Sequence, residues 1–234
     1  MPARAVGAKL LKRNLSDIAA MGGRPVAAVI SLALAPETSV AWLRQFYLGL
    51  ATTARRFGVK IVGGDVTQGP AKFFGAFLTL HGESTGRLIT RQGARLGDAI
   101  FVTGRLGGSL AGHHYRFTPR LAEGQWLARQ KNVAAMMDVS DGIAKDIQAL
   151  TPNGLVAAVS SASLPISTAA RALARRSGRA GVDPRAHRWR GLRTALRRRP
   201  GKPIWPRSSA VGSGGSTRPC IASEVLSAAR PPAT

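Results

Sequence analysis

Val26 to Leu34 reads Val-Ala-Ala-Val-Ile-Ser-Leu-Ala-Leu, and this nearly unbroken apolar run restricts the fold more than any other stretch of the 234 residues. A strand so poor in polar positions belongs in the middle of a sheet with other elements packed over it. Gly22-Gly23-Arg24-Pro25 turns the chain into the run and Pro36 closes it soon after Leu34. It is also far short of the roughly twenty apolar residues that a helix needs to cross a bilayer.

Helical periodicity flanks this strand on both sides. Residues 5–21 place Val6, Leu10, Leu11, Ile18, Ala19 and Met21 as the apolar positions of a helix. After the strand, Ser39 is suited to cap a helix whose Trp42, Leu43, Phe46, Leu50, Ala54 and Phe57 share a face, and Gly58 is suited to end it. Val59 to Val62 then reads as a buried strand, with Gly63 and Gly64 turning the backbone so that Asp65 projects from the strand's end. Further strands are expected at Phe73–Leu80 and Asp98–Thr103. The fold class is α/β (α+β). From Gly104 a second domain is expected, with a glycine-containing helix start at Leu106–Gly112, a loop at His113–Pro119, a helix at Leu121–Lys131, and a helix carrying Ile143, Ile147 and Leu150 that ends before Pro152.

Charge is distributed unevenly. Residues 167–234 hold fifteen of the 34 Lys and Arg but two of the eleven Asp and Glu, so over half of the formal +23 sits in the last 68 residues. Apart from a short helix at Thr168–Arg175, that stretch lacks an apolar period, and such composition predicts a disordered basic tail. Its richness in Arg, Pro, Ala and Ser is also what a GC-rich gene yields in a wrong frame, and we expect residues 167–234 to be read out of frame. The single cysteine, Cys220, excludes a disulfide framework within the chain and points to a reducing, cytoplasmic setting.

Only nine acidic residues precede position 167, and three segments concentrate them in turns after apolar stretches: Asn14-Leu15-Ser16-Asp17, Gly63-Gly64-Asp65 and Asp138-Val139-Ser140-Asp141-Gly142. Each alone has a plain alternative as a helix cap or an Asx turn. Their co-occurrence points to oxygen ligands for Mg²⁺, which is usually shared between carboxylates and nucleotide phosphates. Arg91, beside Gly93 after a strand, is the cation suited to those phosphates. Walker-type, dinucleotide-binding and zinc-protease motifs are absent, and the adjacent His113 and His114 cannot face one metal from a regular element.

The segments Asn14–Gly22, Gly63–Pro70, Arg91–Asp98 and Met137–Gly142 together resemble the thiamine-monophosphate kinase family, in that family's order, over roughly residues 5–166. The resemblance implies a two-domain fold like that of aminoimidazole ribonucleotide synthetase, with residues 1–103 as part of an N-terminal ATP- and Mg²⁺-binding, dimerising domain and 104–166 as the start of a C-terminal domain. It implies ATP-dependent phosphorylation of thiamine phosphate to thiamine diphosphate by a homodimer, away from membranes and nucleic acid. Asp17, Asp65, Asp138 and Asp141 would be metal ligands, and Gly64, Asp65, Arg91 and Ser140 would meet ATP. Family members carry an upstream segment with further aspartates and a downstream acidic run. We therefore expect this copy to be incomplete at both ends, with impaired activity. Two other readings are a different ATP-using synthetase of the same superfamily and a basic nucleic-acid-binding protein, the latter requiring binding that weakens steeply with salt.

Resequencing the locus through the codons around Ser167 tests the frame expectation. A one-base correction that restores an acidic continuation is the expected result, and an unchanged sequence contradicts it.

Overall fold

The structure, a computed structural model, describes residues 1–84 and 86–177. The expectations of disorder and of an altered frame beyond Ser177 lie outside the described residues. In chain order the elements are α1 (Ala3–Ala20), β1 (Gly23–Leu34), α2 (Val40–Phe57), β2 (Lys60–Gln68), β3 (Phe74–Ser84), α3 (His113–Arg116), α4 (Leu121–Ala128), α5 (Ile143–Leu150) and α6 (Thr168–Ser177).

β1 is the central strand of a sheet ordered β2-β1-β3, parallel to β2 and antiparallel to β3. Parallel neighbours need a crossover, and α2 supplies it. Both ends of α2 follow from local chemistry. The Ser39 hydroxyl accepts from the Trp42 amide at 3.2 Å, satisfying one orphan donor of the first turn, and Gly58 takes the left-handed conformation at φ 68° that ends the helix.

Helices α1 and α2 cover one face of the sheet. Ala28, Ile30 and Leu32 of β1 point into a core completed by Leu11, Leu15, Phe46, Leu50 and Ala54. The two helices approach until their backbones touch: a Cβ on Gly7 would lie 2.0 Å from the Phe46 carbonyl oxygen, and one on Gly49 would lie 1.8 Å from that of Arg4. The alternate residues of β1 face the other way, so Val29 and, on β3, Phe77 remain exposed.

Four expectations are corrected. Val59 is buried, but every residue of β2 is exposed, because β2 is an edge strand with β1 on one side and no strand on the other among the described residues. Gly63 and Gly64 do not turn the chain. The strand runs through them to Gln68, with a bulge where Ala28 pairs with Ile61 and Val29 with Gly63, leaving Val62 as the extra residue. Asp98–Thr103 forms no strand; only Ile100 and Thr103 are single bridge residues within it, and Phe101 stays exposed. His113–Arg116, expected as part of a loop, forms the single turn α3 after a left-handed Gly112.

The described residues divide into two compact units, one of residues 1–92 and 109–140, the other of 93–108 and 141–177. The first holds the sheet and α1 to α4. In the second, Leu106 bridges Ile166, the Ser167 amide donates to the Leu106 carbonyl at 2.9 Å, and the Ser167 hydroxyl accepts from the Ala170 amide at 3.1 Å to begin α6. That helix spans the region where the sequence suggested a short one.

The helix contact makes a stability prediction. Gly49→Ala overfills a backbone contact and should destabilise the fold by about 1–3 kcal/mol, whereas Ser39→Ala should cost about 1 kcal/mol through the lost cap. Urea midpoints measure both, and an unchanged midpoint for Gly49→Ala contradicts the packing described.

Candidate functional site

Asp17 stands on the last turn of α1, one residue after Ser16. The segment after α4 returns to this point because the Met136 amide donates to the Thr90 carbonyl at 3.0 Å, beside the buried Ile89. Ser16 Oγ then donates to Asp138 Oδ2 at 2.9 Å, joining residues 122 positions apart. The structure thus brings together two of the four expected metal ligands.

Burial, and after it the charge of Asp138, push the Asp17 carboxyl above the ordinary aspartate value, while Arg13 pulls the other way. Part of the Asp17 side chain still meets solvent, so water screens some of this cost. A carboxyl group whose ionisation is disfavoured by burial and by a neighbouring carboxylate suits a hard divalent cation, whose charge reverses the sign of that interaction. The donor set therefore fits Mg²⁺. Among the described residues, no group of three or more His, Cys, Asp or Glu side chains gathers to hold a metal within this one chain.

Asp65 is in register with Ser31, and Ser31 with Phe77, which places its side chain on the open face of the sheet; Ile30 and its partner Gly64 belong to the helix-covered side. A Cβ on Gly64 would lie 1.9 Å from the Ile30 carbonyl oxygen, so close strand packing already accounts for this glycine. Arg91 is exposed in a turn pinned by Thr90, whose hydroxyl accepts from the Gln92 amide at 3.2 Å. Ser140 is the last residue of the first unit. Asp141 opens the second, where it pairs with Lys145 one helical turn on, and that hydrogen bond together with the Asp141 charge raises the lysine's pKa. A shallow depression on the outer face of α2, lined by Val40, Leu43, Arg44 and Tyr47, contains none of these residues.

Two contributors escaped the sequence reading. Ser16 reads there as a cap, yet it ties Asp138 in place. Asp146 is buried on the first turn of α5, and its Oδ2 accepts from the amides of Asp141 and Gly142, both at 3.1 Å. Its signal was present: positions 143, 146, 147 and 150 form one helical stripe, and a carboxylate on an apolar stripe needs a polar partner.

Residues 1–83 match the family described as AIR synthase related protein, N-terminal domain. The crystal structure of thiamine monophosphate kinase from Aquifex aeolicus is similar with a TM-score of 0.71 and 30% identity, covering 77% of this chain and 68% of that one. The chain belongs to the thiamine-monophosphate kinase family. A thiamine-monophosphate kinase of Rhodopirellula baltica is 40% identical over 187 residues, 79% of this chain and 57% of the relative. The Aquifex aeolicus enzyme is 32% identical over 200 residues, 76% of this chain and 64% of the relative, so the chain spans less than two thirds of the length of these curated family members. A structure of AaThiL complexed with AMPPCP and TMP has the same TM-score of 0.71. Hydrogenase maturation protein HypE, at 19% identity and a TM-score of 0.64, shares the fold alone. Among the described residues, no helix of this kinase-family chain is long and apolar enough to cross a membrane.

The raised Asp17 carboxyl sets a pH dependence. The folded state holds that proton more tightly than the unfolded state, so ionisation destabilises the fold as pH climbs from the ordinary aspartate value through the raised one. In chelator, Asp17→Asn should melt above the wild type at pH 7, and the gap should close below the ordinary aspartate value. A gap that is absent at pH 7, or that persists in acid, contradicts the assignment.

Proposed function

We propose that the chain is an ATP- and Mg²⁺-dependent phosphotransferase that converts thiamine phosphate to thiamine diphosphate. The observation that carries this is the meeting of Ser16 and Asp17 with Asp138, in a family whose member AaThiL is known in complex with AMPPCP and TMP. A phosphate oxygen of thiamine phosphate attacks the γ-phosphorus of ATP, the bond from that phosphorus to the β,γ-bridging oxygen breaks, and ADP leaves. Such transfer depends on alignment and charge neutralisation more than on a covalent nucleophile, which suits a site built of carboxylates.

In this reading Asp17 and Asp138 would hold Mg²⁺, and Asp65 and Asp141 would supply further oxygen ligands. When bound, Mg²⁺ supplies the positive charge that the nucleotide phosphates need as the transfer proceeds. Ser16 holds the Asp138 carboxylate by its hydrogen bond. Gly64 and Asp65 border the nucleotide, Arg91 meets its phosphates, and Ser140 presents a hydroxyl to it. The architecture in this reading is the two-domain, aminoimidazole ribonucleotide synthetase-like fold with its boundary near Gly104, and the partner is a second copy of the chain. Support for pairing comes from the open sheet face, where Val29 is 38% and Phe77 63% exposed. Asp65 lies on that same face. The basic stretch after Ser167 has no part in the reaction.

The test is incubation of the purified chain with ATP, Mg²⁺ and thiamine phosphate. Thiamine diphosphate and ADP should appear in equal amounts, and Asp17→Asn and Asp138→Asn should each lower kcat by about 10²-fold or more, as loss of a group that stabilises transferring charge does. ATP hydrolysis that leaves thiamine phosphate untouched contradicts the proposal.

A further inference from the structure

Asp146 is the only buried charged side chain among the described residues, at 6% exposure, in a chain that uses acidic residues sparingly. A carboxylate taken out of water is costly unless hydrogen bonds replace its hydration. Here the replacement comes from the backbone ahead of its own helix: the amides of Asp141 and Gly142 both donate to Oδ2. The N-cap of α5 is Gly142, which has no side chain to cap with, and the reach of Asp146 back to these amides does that work from one turn inside the helix.

Gly142 adopts φ 105°, a left-handed conformation that favours glycine, although a Cβ there would meet nothing within 4 Å. Glycine is therefore required by the bend and not by space. The bend aims two successive amides at one buried oxygen, while the Asp141 side chain leaves the same backbone toward solvent and Lys145. One carboxylate faces inward and fixes the chain, and another, five residues earlier, faces outward where it can take a cation.

We propose that Asp146 is a positioning residue for Asp141, holding the Asp141–Gly142 backbone in the one conformation that presents the Asp141 carboxylate to Mg²⁺-nucleotide. This rests on the phosphotransferase reading given above. Asp146 touches neither nucleotide nor metal. It acts through the two amides, so an oxygen acceptor is what the position requires, and the negative charge is secondary.

The experiment is binding of AMPPCP to the full chain by calorimetry across a Mg²⁺ series, with thermal melting recorded in parallel for wild type, Asp146→Ala and Asp146→Asn. Asp146→Ala should raise the Mg²⁺ concentration for half-maximal binding about tenfold, the loss typical when a group supporting a metal ligand is removed. Asp146→Asn retains an acceptor oxygen and should stay within about twofold of wild type on the same scale. If Asp146→Ala lowers the melting temperature but leaves the Mg²⁺ dependence unchanged well below that temperature, the role is structural and the proposal fails. If Asp146→Asn is impaired severalfold, the charge itself acts and the positioning role is wrong; this comparison stands even should the alanine variant not fold. A wild-type chain that binds no AMPPCP at any Mg²⁺ concentration overturns the phosphotransferase reading, and the proposal falls with it.

Discussion

The contact on which the rest depends is the bare backbone crossing of α1 and α2. Gly7 and Gly49 let the two helices close until carbonyl oxygens occupy the places where side chains would stand. That closeness seats both helices on the Ala28, Ile30 and Leu32 face of β1, where Leu11, Leu15, Phe46 and Leu50 lose nearly all contact with water. Burial of each such side chain is worth about 1.5–3 kcal/mol, so α1 is held firmly although its first turn has no side-chain cap. The helix in turn delivers Ser16 and Asp17 at its far end, where the Ser16 hydroxyl meets Asp138.

The two aspartates that matter most meet their electrostatic cost in opposite ways. Asp146 is satisfied by backbone amides and fixes structure. Asp17 sits beside Asp138 and is pushed toward its protonated form. A fold gains nothing from that second arrangement by itself, since neighbouring carboxylates repel. It becomes favourable when a cation arrives, which is the physical reason for reading the pair as a ligand set and Asp146 as a support.

Much of the fold was legible because its signals are local. The apolar run of β1, the Ser39 and Gly58 ends of α2, and the Ile143, Ile147 and Leu150 stripe of α5 each specify an element without reference to distant residues. β2 was misjudged in burial because an apolar segment does not say whether it lies at the centre or the edge of a sheet. Gly63 and Gly64 looked like a turn because a bulge and, at Gly64, close strand packing leave the same mark in a sequence as a bend does. Family membership was legible in four spaced motifs. Their assembly was not: Asp17 and Asp138 converge through the Ser16 hydrogen bond and the Thr90 tie, contacts between residues far apart in sequence. Register places Asp65 on the sheet's open face, which an isolated Gly-Gly-Asp segment does not reveal.

The central claim is that Asp17 and Asp138 jointly hold a divalent cation. Anomalous diffraction from crystals of the chain grown with Mn²⁺ and AMPPCP, collected near the manganese edge, locates that cation directly. The account predicts an anomalous peak shared by the Asp17 and Asp138 carboxylates beside Ser16. Manganese bound elsewhere, with those two carboxylates empty in the nucleotide complex, would contradict it.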